Sequence, residues 1–266
     1  MEPVSVFRRT RSREGGKRRP RSWLGRWLGS AGRMRPLVLD ELRSLLELEI
    51  DQPLRSLQGR ETFHHRTRDG SGVVVKRSRP GARPGGRREH EALLRLGDLH
   101  FPVPETFGFA SGPLGSVVVM ERIAHVETAR ERAAHPNSIV RRALLTRIAE
   151  LLGRLHVAGF RHRDFYAHHL LLRTGTDELV LIDVGRAGRA PMPARRWFVK
   201  DVGALIHSLP VRVTERERLR FVAQYLDARG IDSQRARRSF VRAAFAKARR
   251  IARHVPLDER PDAGTR

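Results

Sequence analysis

The chain has 266 residues, of which 53 are Lys or Arg and 29 are Asp or Glu, and its formal net charge at pH 7 is +24. A hydrophobic share of 39% supplies enough apolar side chains for a core and excludes a wholly disordered or fibrous chain. No cysteine is present, which excludes disulfides, thiolate metal sites and cysteine nucleophiles and is consistent with a reducing compartment.

The positive charge is concentrated in two segments. Residues 1–35 contain eleven basic and two acidic side chains, and residues 229–253 contain nine and one. Attraction to a polyanion would explain this pattern, whether nucleic acid, an anionic membrane surface or a phosphorylated substrate. A coding bias toward arginine would explain it equally, so composition leaves both interpretations open.

Residues 1–35 are predicted to form a flexible basic arm that includes an amphipathic segment. Four apolar side chains recur there at helical spacing among arginines: Trp23, Leu24, Trp27 and Leu28. This pattern is typical of a helix on a membrane surface, although packing against the folded domain is an open alternative. The sequence shows neither a run of about 20 apolar residues nor a secretory signal pattern. We therefore expect a cytoplasmic protein, whose arm would allow peripheral binding to the inner face of the cytoplasmic membrane.

Residues 36–121 are predicted to form a small sheet with one inserted helix. A helix over 37–48 comes first. Period-two patterns and turn residues then predict strands at 61–67, 73–76, 105–109 and 115–121, with a helix over 88–97 between the second and the third.

Residues 122–254 are predicted to be mainly helical, followed by a tail at 255–266. Apolar residues from Val140 to Leu155 recur at spacings of three and four, with Asn137 or Ser138 as N-cap and Gly159 as the stop. Short strands at 169–172 and 179–182 precede helices at 195–209, 214–228 and 232–254. The fold class is therefore α+β, with a strand-rich first lobe and a helical second lobe in the layout of a protein-kinase-like fold.

The strongest chemical signal is His162-Arg163-Asp164, followed by Asp183 in the segment Leu181-Ile182-Asp183-Val184-Gly185. Phosphoryl transfer needs one carboxylate near the attacking hydroxyl and another to hold the magnesium that bridges the nucleotide phosphates. Asp164 and Asp183 are predicted to supply these two groups.

Two upstream residues complete such a site. Lys76 ends the Val73-Val74-Val75 strand, where its ammonium could reach nucleotide phosphates, and Glu89 lies in the following helix, where it could pair with this lysine. A lysine is informative here because the chain contains 49 arginines and four lysines. Glu91 is the alternative candidate for the carboxylate that pairs with Lys76.

Together these residues resemble the lipopolysaccharide core kinase (Kdo/WaaP) family, which phosphorylates heptose or Kdo sugars and has a fold similar to eukaryotic protein kinases. Protein kinases usually have an asparagine five residues after the catalytic aspartate, whereas this chain has His169, as the lipopolysaccharide kinases do. The matching stretches are Val73 to Arg77, Glu89 to Leu93, His162 to Tyr166 with His169, Ile182-Asp183 with Arg186-Ala187, and Arg196 to Asp201.

The resemblance implies Asp164 as catalytic base, Asp183 as metal ligand, Lys76 as phosphate contact and Glu89 as its partner. His169 is implied as a second metal ligand, or as a group that orients the loop because imidazole suits magnesium poorly. The chain departs from kinases in having no clear glycine-rich loop before Lys76, for which the candidates are Gly59 and the turn at residues 70–72.

The resemblance also implies an ATP-dependent kinase that uses Mg²⁺ and transfers the γ-phosphoryl group to a heptose or Kdo hydroxyl of a lipopolysaccharide core or related glycolipid. Such an acceptor lies in an anionic bilayer, which would suit the basic ends of the chain. Two alternatives are open: a kinase of protein or small-molecule hydroxyls, and an arginine-rich pseudokinase that binds nucleic acid. Nucleic acid is the less expected partner, because the basic segments contain few interleaved aromatics.

Further residues near these motifs have expected roles. Asp201 is expected to support the catalytic loop through hydrogen bonds. The arginines that follow Asp183 could contact an anionic acceptor or form a solvated basic loop, and both interpretations are open: Arg186, Arg189, Arg195 and Arg196.

Overall fold

The computed structural model describes residues 37–253, apart from 51, 58, 69 and 82–85. The predicted basic arm (1–35) and tail (255–266) lie outside the described residues. Within the described residues, no helix is both long and apolar enough to cross a membrane.

The first lobe is built on a five-stranded antiparallel sheet in the order β1-β2-β3-β5-β4. The central strand β3 has fully buried Val73 and Val75 on one face, and its neighbour β5 is buried almost throughout. The strands are β1 (Arg55–Leu57), β2 (Arg60–Arg66), β3 (Gly72–Ser78), β4 (Thr106–Gly112) and β5 (Gly115–Glu121).

Two helices accompany this sheet, α1 (Leu39–Glu47) and α2 (Gly86–Asp98). The C-terminal end of α1 is fixed by Arg77 of β3, whose buried guanidinium donates to the carbonyls of Leu45 and Leu46 at 3.1 and 3.3 Å and also pairs with Glu61. A cation at this end satisfies carbonyls that the helix itself leaves unpaired.

The second lobe is mainly helical and contains two small antiparallel sheets. One has the strand order β6-β8-β9, and the other pairs β7 with β10. Its strands are β6 (His125–Thr128), β7 (Phe160–Arg161), β8 (Leu170–Arg173), β9 (Leu179–Leu181) and β10 (Gly188–Arg189). Its helices are α3 (Ala129–Arg132), α4 (Ser138–Val157), α5 (Arg195–Ser208), α6 (Glu215–Ala228) and α7 (Gln234–Ala252).

Glycines allow the long helices of this lobe to pack closely. A Cβ on Gly203 of α5 would lie 2.8 Å from the Lys247 side chain of α7, and one on Gly153 of α4 would lie 2.6 Å from Ala228 of α6. One continuous core joins these helices to the sheet of the first lobe through residues such as Leu96 and Val118.

The architecture confirms the predicted α+β class and the kinase-like layout. Five elements escaped the prediction, each of four residues or fewer: β1, β6, β7, β10 and α3. Elements this short have no measurable periodicity, so they are defined by their tertiary partners.

Candidate active site

The central strand of the first lobe presents Lys76 to the site. Lys76 lies on the face of β3 opposite Val73 and Val75, and its backbone is held between β2 and β5. Its Nζ lies 2.5 Å from Glu89 Oε1 and 3.2 Å from Asp183 Oδ1. Burial by itself would lower the pKa of Lys76, but the two carboxylates outweigh burial and raise this pKa above its ordinary value. The lysine is therefore a fixed cation between two carboxylates.

Glu89, and not its rival Glu91, is the helix residue that meets Lys76. Glu89 is buried in the first turn of α2, whereas Glu91 is exposed and lies 3.9 Å from Arg95 on the same helix. The segment after Asp183 approaches α2 closely, because a Cβ on Gly185 would lie 3.3 Å from Glu89 Oε2. A glycine at this position lets the helix and the segment pack together.

Asp164 lies in the loop that follows β7, with cations on two sides. Its Oδ1 accepts a hydrogen bond from Arg186 Nη1 at 2.9 Å and lies 4.0 Å from Lys200 Nζ. Burial lowers the pKa of Lys200; Asp164 acts in the opposite direction, and Arg186 adds to the lowering. Asp164 is therefore surrounded by positive charge, which would stabilise negative charge that develops at this point.

The loop that contains Asp164 is held by the fully buried Asp201 of α5. The backbone N–H groups of His162 and Arg163 each donate to Asp201 at 2.7 Å, and His156 of α4 lies 3.3 Å from the same carboxylate. Arg163 has a φ of +77°, a conformation that costs free energy for a residue with a side chain. The charged hydrogen bonds to Asp201 offset this cost, so the structure gives Asp201 the loop-supporting contacts expected of it.

His169 joins the loop that contains Asp164 to Asp183. Its Nδ1 lies 2.8 Å from the carbonyl oxygen of Asp164, so Nδ1 is the protonated donor and Nε2 faces Asp183 Oδ2 at 3.7 Å. The backbone N–H of Ile182 donates to the His169 carbonyl at 2.9 Å. The imidazole and the backbone of His169 therefore fix the segments that contain Asp164 and Asp183 relative to each other.

Asp183 follows β9 in a left-handed conformation, with a φ of +56°. Burial alone would raise the pKa of this carboxyl group, but Lys76 and His169 outweigh burial and hold the pKa below its ordinary value. Asp183 is thus an anion at neutral pH and presents a hard oxygen ligand.

The described residues contain no cluster of three or more His, Asp or Glu side chains that could hold a metal ion by themselves. Magnesium bound with a nucleotide does not need such a cluster, because it takes one or two carboxylates and completes its shell with phosphate oxygens and water. The ionised Asp183 beside Lys76 fits that donor set.

Of the candidate phosphate-covering turns, the one at Gly59 is next to the site. Gly59 joins β1 to β2 with a φ of +73°, and its carbonyl accepts from the Arg79 N–H at 2.8 Å, just beyond the end of β3 that contains Lys76. The turn at residues 70–72 lies at the opposite end of the β2–β3 hairpin. Of the two candidates, Gly59 is therefore the one at the same end of the sheet as Lys76.

Sequence reasoning included Lys200 in a stretch that matches the family but gave it no role of its own. It lies at the site because α5 begins against the catalytic loop, and the signal that could have identified it is its rarity, since it is one of four lysines beside 49 arginines.

The fold and this set of residues define a protein-kinase-like phosphotransferase. Similar solved structures include an aminoglycoside-3'-phosphotransferase of type VIII, with a TM-score of 0.52 at 18% identity over 77% of this chain and 97% of that one. A Streptomyces rimosus aminoglycoside phosphotransferase gives the same TM-score at 17% identity over 74% of this chain and 92% of that one. At these identities the likeness concerns the fold alone.

The family follows from sequence comparison. The model of the lipopolysaccharide kinase (Kdo/WaaP) family matches residues 54–225, and the chain belongs to this family. The lipopolysaccharide core heptose(I) kinase WaaP of Pseudomonas aeruginosa is 32% identical over 206 residues, which cover 64% of this chain and 75% of that protein. A 3-deoxy-D-manno-octulosonic acid kinase of Xanthomonas oryzae pv. oryzae is 31% identical over 168 residues, 60% of this chain and 64% of the relative. The predicted family is thereby confirmed, and with it an ATP-using kinase.

Proposed function

We propose that this chain transfers the γ-phosphoryl group of ATP to a sugar hydroxyl, on heptose or Kdo, of a lipopolysaccharide core or related glycolipid. The observation that carries the proposal is the convergence of Lys76, Glu89, Asp183 and Asp164 from both lobes of a chain in the lipopolysaccharide kinase family. The curated relatives are named as kinases of such sugars.

Each residue has a role in this proposal that follows from its surroundings. Lys76 binds the nucleotide phosphates, and the buried Glu89 holds its ammonium in place. Asp164 orients the acceptor hydroxyl and accepts its proton, while Arg186 and Lys200 balance the negative charge that gathers at this point.

Magnesium would be held by Asp183 together with the nucleotide phosphates. When bound, the metal supplies positive charge that neutralises the transferring group. His169 positions the loop through the Asp164 carbonyl, and a role as an additional metal ligand through Nε2 stays a prediction.

We also propose that the protein binds peripherally to the anionic inner face of the cytoplasmic membrane. Helix α7 contains no acidic residue, and it exposes the arginines Arg235, Arg238, Arg242, Arg249 and Arg250. Each basic side chain near an anionic surface contributes about 1 kcal/mol, or about a fivefold change in binding. We expect Arg238→Gln with Arg242→Gln to weaken salt-sensitive binding of the full chain to phosphatidylglycerol vesicles. Unchanged binding of this double variant would contradict the role given to α7.

The central test measures label transfer from γ-labelled ATP to three acceptors: a heptose-containing core, a Kdo-containing core and a Ser/Thr/Tyr peptide. We expect transfer to a glycolipid acceptor and a loss of about 10² to 10⁴-fold in kcat for Asp164→Asn, because the catalytic base is removed. Asp98→Asn, at the exposed end of α2, is the matched control. Preferential labelling of the peptide, or equal turnover by Asp164→Asn, would overturn the assignment.

A further inference from the structure

Three arginine side chains surround Trp197 beside the catalytic loop. Their guanidinium carbons lie 4.2 Å (Arg161), 5.6 Å (Arg163) and 4.5 Å (Arg196) from the centroid of the Trp197 ring. We call these four residues the Trp197 cluster. β10 pairs with β7 and fixes the backbone of Arg161, and the start of α5 presents Arg196 together with the indole.

The buried N–H groups of this cluster lack acceptors. Among the described residues, Nε and Nη1 of Arg161, Nε of Arg163 and Nε1 of Trp197 are shielded from solvent and have no hydrogen-bond partner. Buried donors in proteins are almost always paired, and guanidinium groups have the strongest need for an acceptor. A ligand with several acceptor oxygens would satisfy this set of donors.

The carboxylates nearest to the cluster are already engaged. Asp201 accepts the backbone N–H of Arg163, and Asp164 accepts from Arg186. Burial lowers the pKa of Arg161, and the neighbouring Arg163 lowers it further, with Asp201 opposing the shift. The cluster therefore concentrates positive charge for which the described residues supply no free anion.

We infer that the Trp197 cluster is an anion-binding subsite that holds a phosphate or carboxylate of the acceptor next to Asp164. A guanidinium fork matches the geometry of both anions and binds them through two parallel hydrogen bonds. Trp197 lies one turn before Lys200 on α5, and Lys200 Nζ lies 4.0 Å from Asp164 Oδ1, so an anion held here lies near the carboxylate that receives the acceptor hydroxyl. The subsite would select sugars with a charged substituent over neutral ones; this last step rests on the proposed function.

Binding can be tested without knowledge of the acceptor. In the full chain with Trp23→Phe and Trp27→Phe, Trp197 is the only tryptophan and its fluorescence reports on the cluster. Inorganic phosphate and free Kdo are titrated in the presence of saturating ADP, so that the nucleotide site is filled. We expect a saturable response to at least one probe, and a Kd about tenfold weaker in Arg196→Gln, the loss of one charge-assisted hydrogen bond.

The variants separate an anion site from a structural role. Arg161→Gln tests the half-buried member, and Arg195→Gln is the control. Arg196→Gln tests the exposed member, and we expect this variant to fold like the wild type. Arg195 is adjacent in α5 but donates to Ser239 Oγ at 2.9 Å. An equal response in all variants, or no saturable response to either probe, would overturn the subsite.

A kinetic arm distinguishes the subsite from the proposed function. With a phosphorylated glycolipid acceptor, we expect Arg196→Gln to raise the acceptor KM about tenfold while kcat and the ATP KM stay near wild type. With the phosphatase-treated acceptor, the same variant should match the wild type. A similar KM increase on both acceptors would contradict the subsite, whereas anion binding without glycolipid turnover would contradict the proposed function alone.

Discussion

Asp201→Asn tests how the catalytic loop is held. The two carboxylate oxygens of Asp201 accept the N–H groups of His162 and Arg163, both at 2.7 Å, in a fully buried position. An asparagine has one acceptor oxygen and one amino group, so one backbone N–H would face another donor. Hydrogen bonds to charged groups contribute about 1.5 to 3 kcal/mol and an unsatisfied buried donor costs about 1 to 3 kcal/mol.

We therefore expect Asp201→Asn to lower the free energy of unfolding by about 2 to 5 kcal/mol. A typical domain has about 5 to 15 kcal/mol in total, so the variant should remain folded. We also expect kcat to fall by about 10²-fold, because Arg163 can relax from its left-handed conformation and Asp164 moves with it.

Urea denaturation followed by circular dichroism measures the stability, and label transfer from ATP measures kcat. Asp227→Asn is the matched control, since Asp227 is an exposed aspartate that pairs with Arg237 at 2.7 Å. Such a surface pair contributes about 0 to 1 kcal/mol. The reasoning is refuted if Asp201→Asn destabilises the protein no more than Asp227→Asn, or if its kcat equals that of the wild type.

Three further predictions follow from ionic contacts. Lys76→Met should lower kcat/KM for ATP by about 10² to 10³-fold, because the cation that binds the phosphates is lost. The control Lys247→Met on α7 should leave kcat/KM unchanged. Equal effects of the two variants in steady-state kinetics would contradict the phosphate-binding role of Lys76. Burial raises the pKa of Asp183, but Lys76 outweighs burial and holds this pKa below its ordinary value. The ionised carboxylate therefore stabilises the folded protein above the unfolded-state pKa of about 3.9, and this contribution is lost as the pH falls through the folded-state pKa. The Tm should therefore decline with falling pH in this acidic range, less steeply in Lys76→Met; parallel Tm profiles would argue against the coupling. Arg77→Met should lower the free energy of unfolding, measured in urea, by about 3 kcal/mol, because a buried ion pair and a helix cap are lost. The control Arg43→Met removes an exposed side chain and should have little effect. Equal losses of stability in the two variants would contradict the stabilising role of Arg77.

The choice between Glu89 and Glu91 shows how far periodicity alone can reach. Glu89 lies three, four and seven residues before the buried Ala92, Leu93 and Leu96, which places it on the inward face of α2. Glu91 lies two residues on, about 200° around the helix, and is exposed. Helical phase is therefore a signal in the sequence that favours Glu89 over Glu91.

Periodicity could not decide between the two candidate phosphate-covering turns. Gly59 and the turn at residues 70–72 both look like hairpin turns in the sequence, and the three-residue strand β1 has no periodicity of its own. Only the pairing of β1 with β2 shows that the Gly59 turn lies at the end of the sheet next to Lys76.

The sequence by itself predicted a phosphotransferase, because a lysine at the end of an apolar strand and two aspartates in short motifs are local patterns that resemble a known kinase family. Tertiary structure alone decided which charges surround Asp164. Arg186, Lys200 and the Trp197 cluster come from separate elements, and the β7–β10 pair and the start of α5 bring them together. In a chain with 49 arginines, composition cannot single out the few described ones with a buried N–H group that lacks a hydrogen-bond acceptor, since that property depends on burial and on the neighbours that folding supplies.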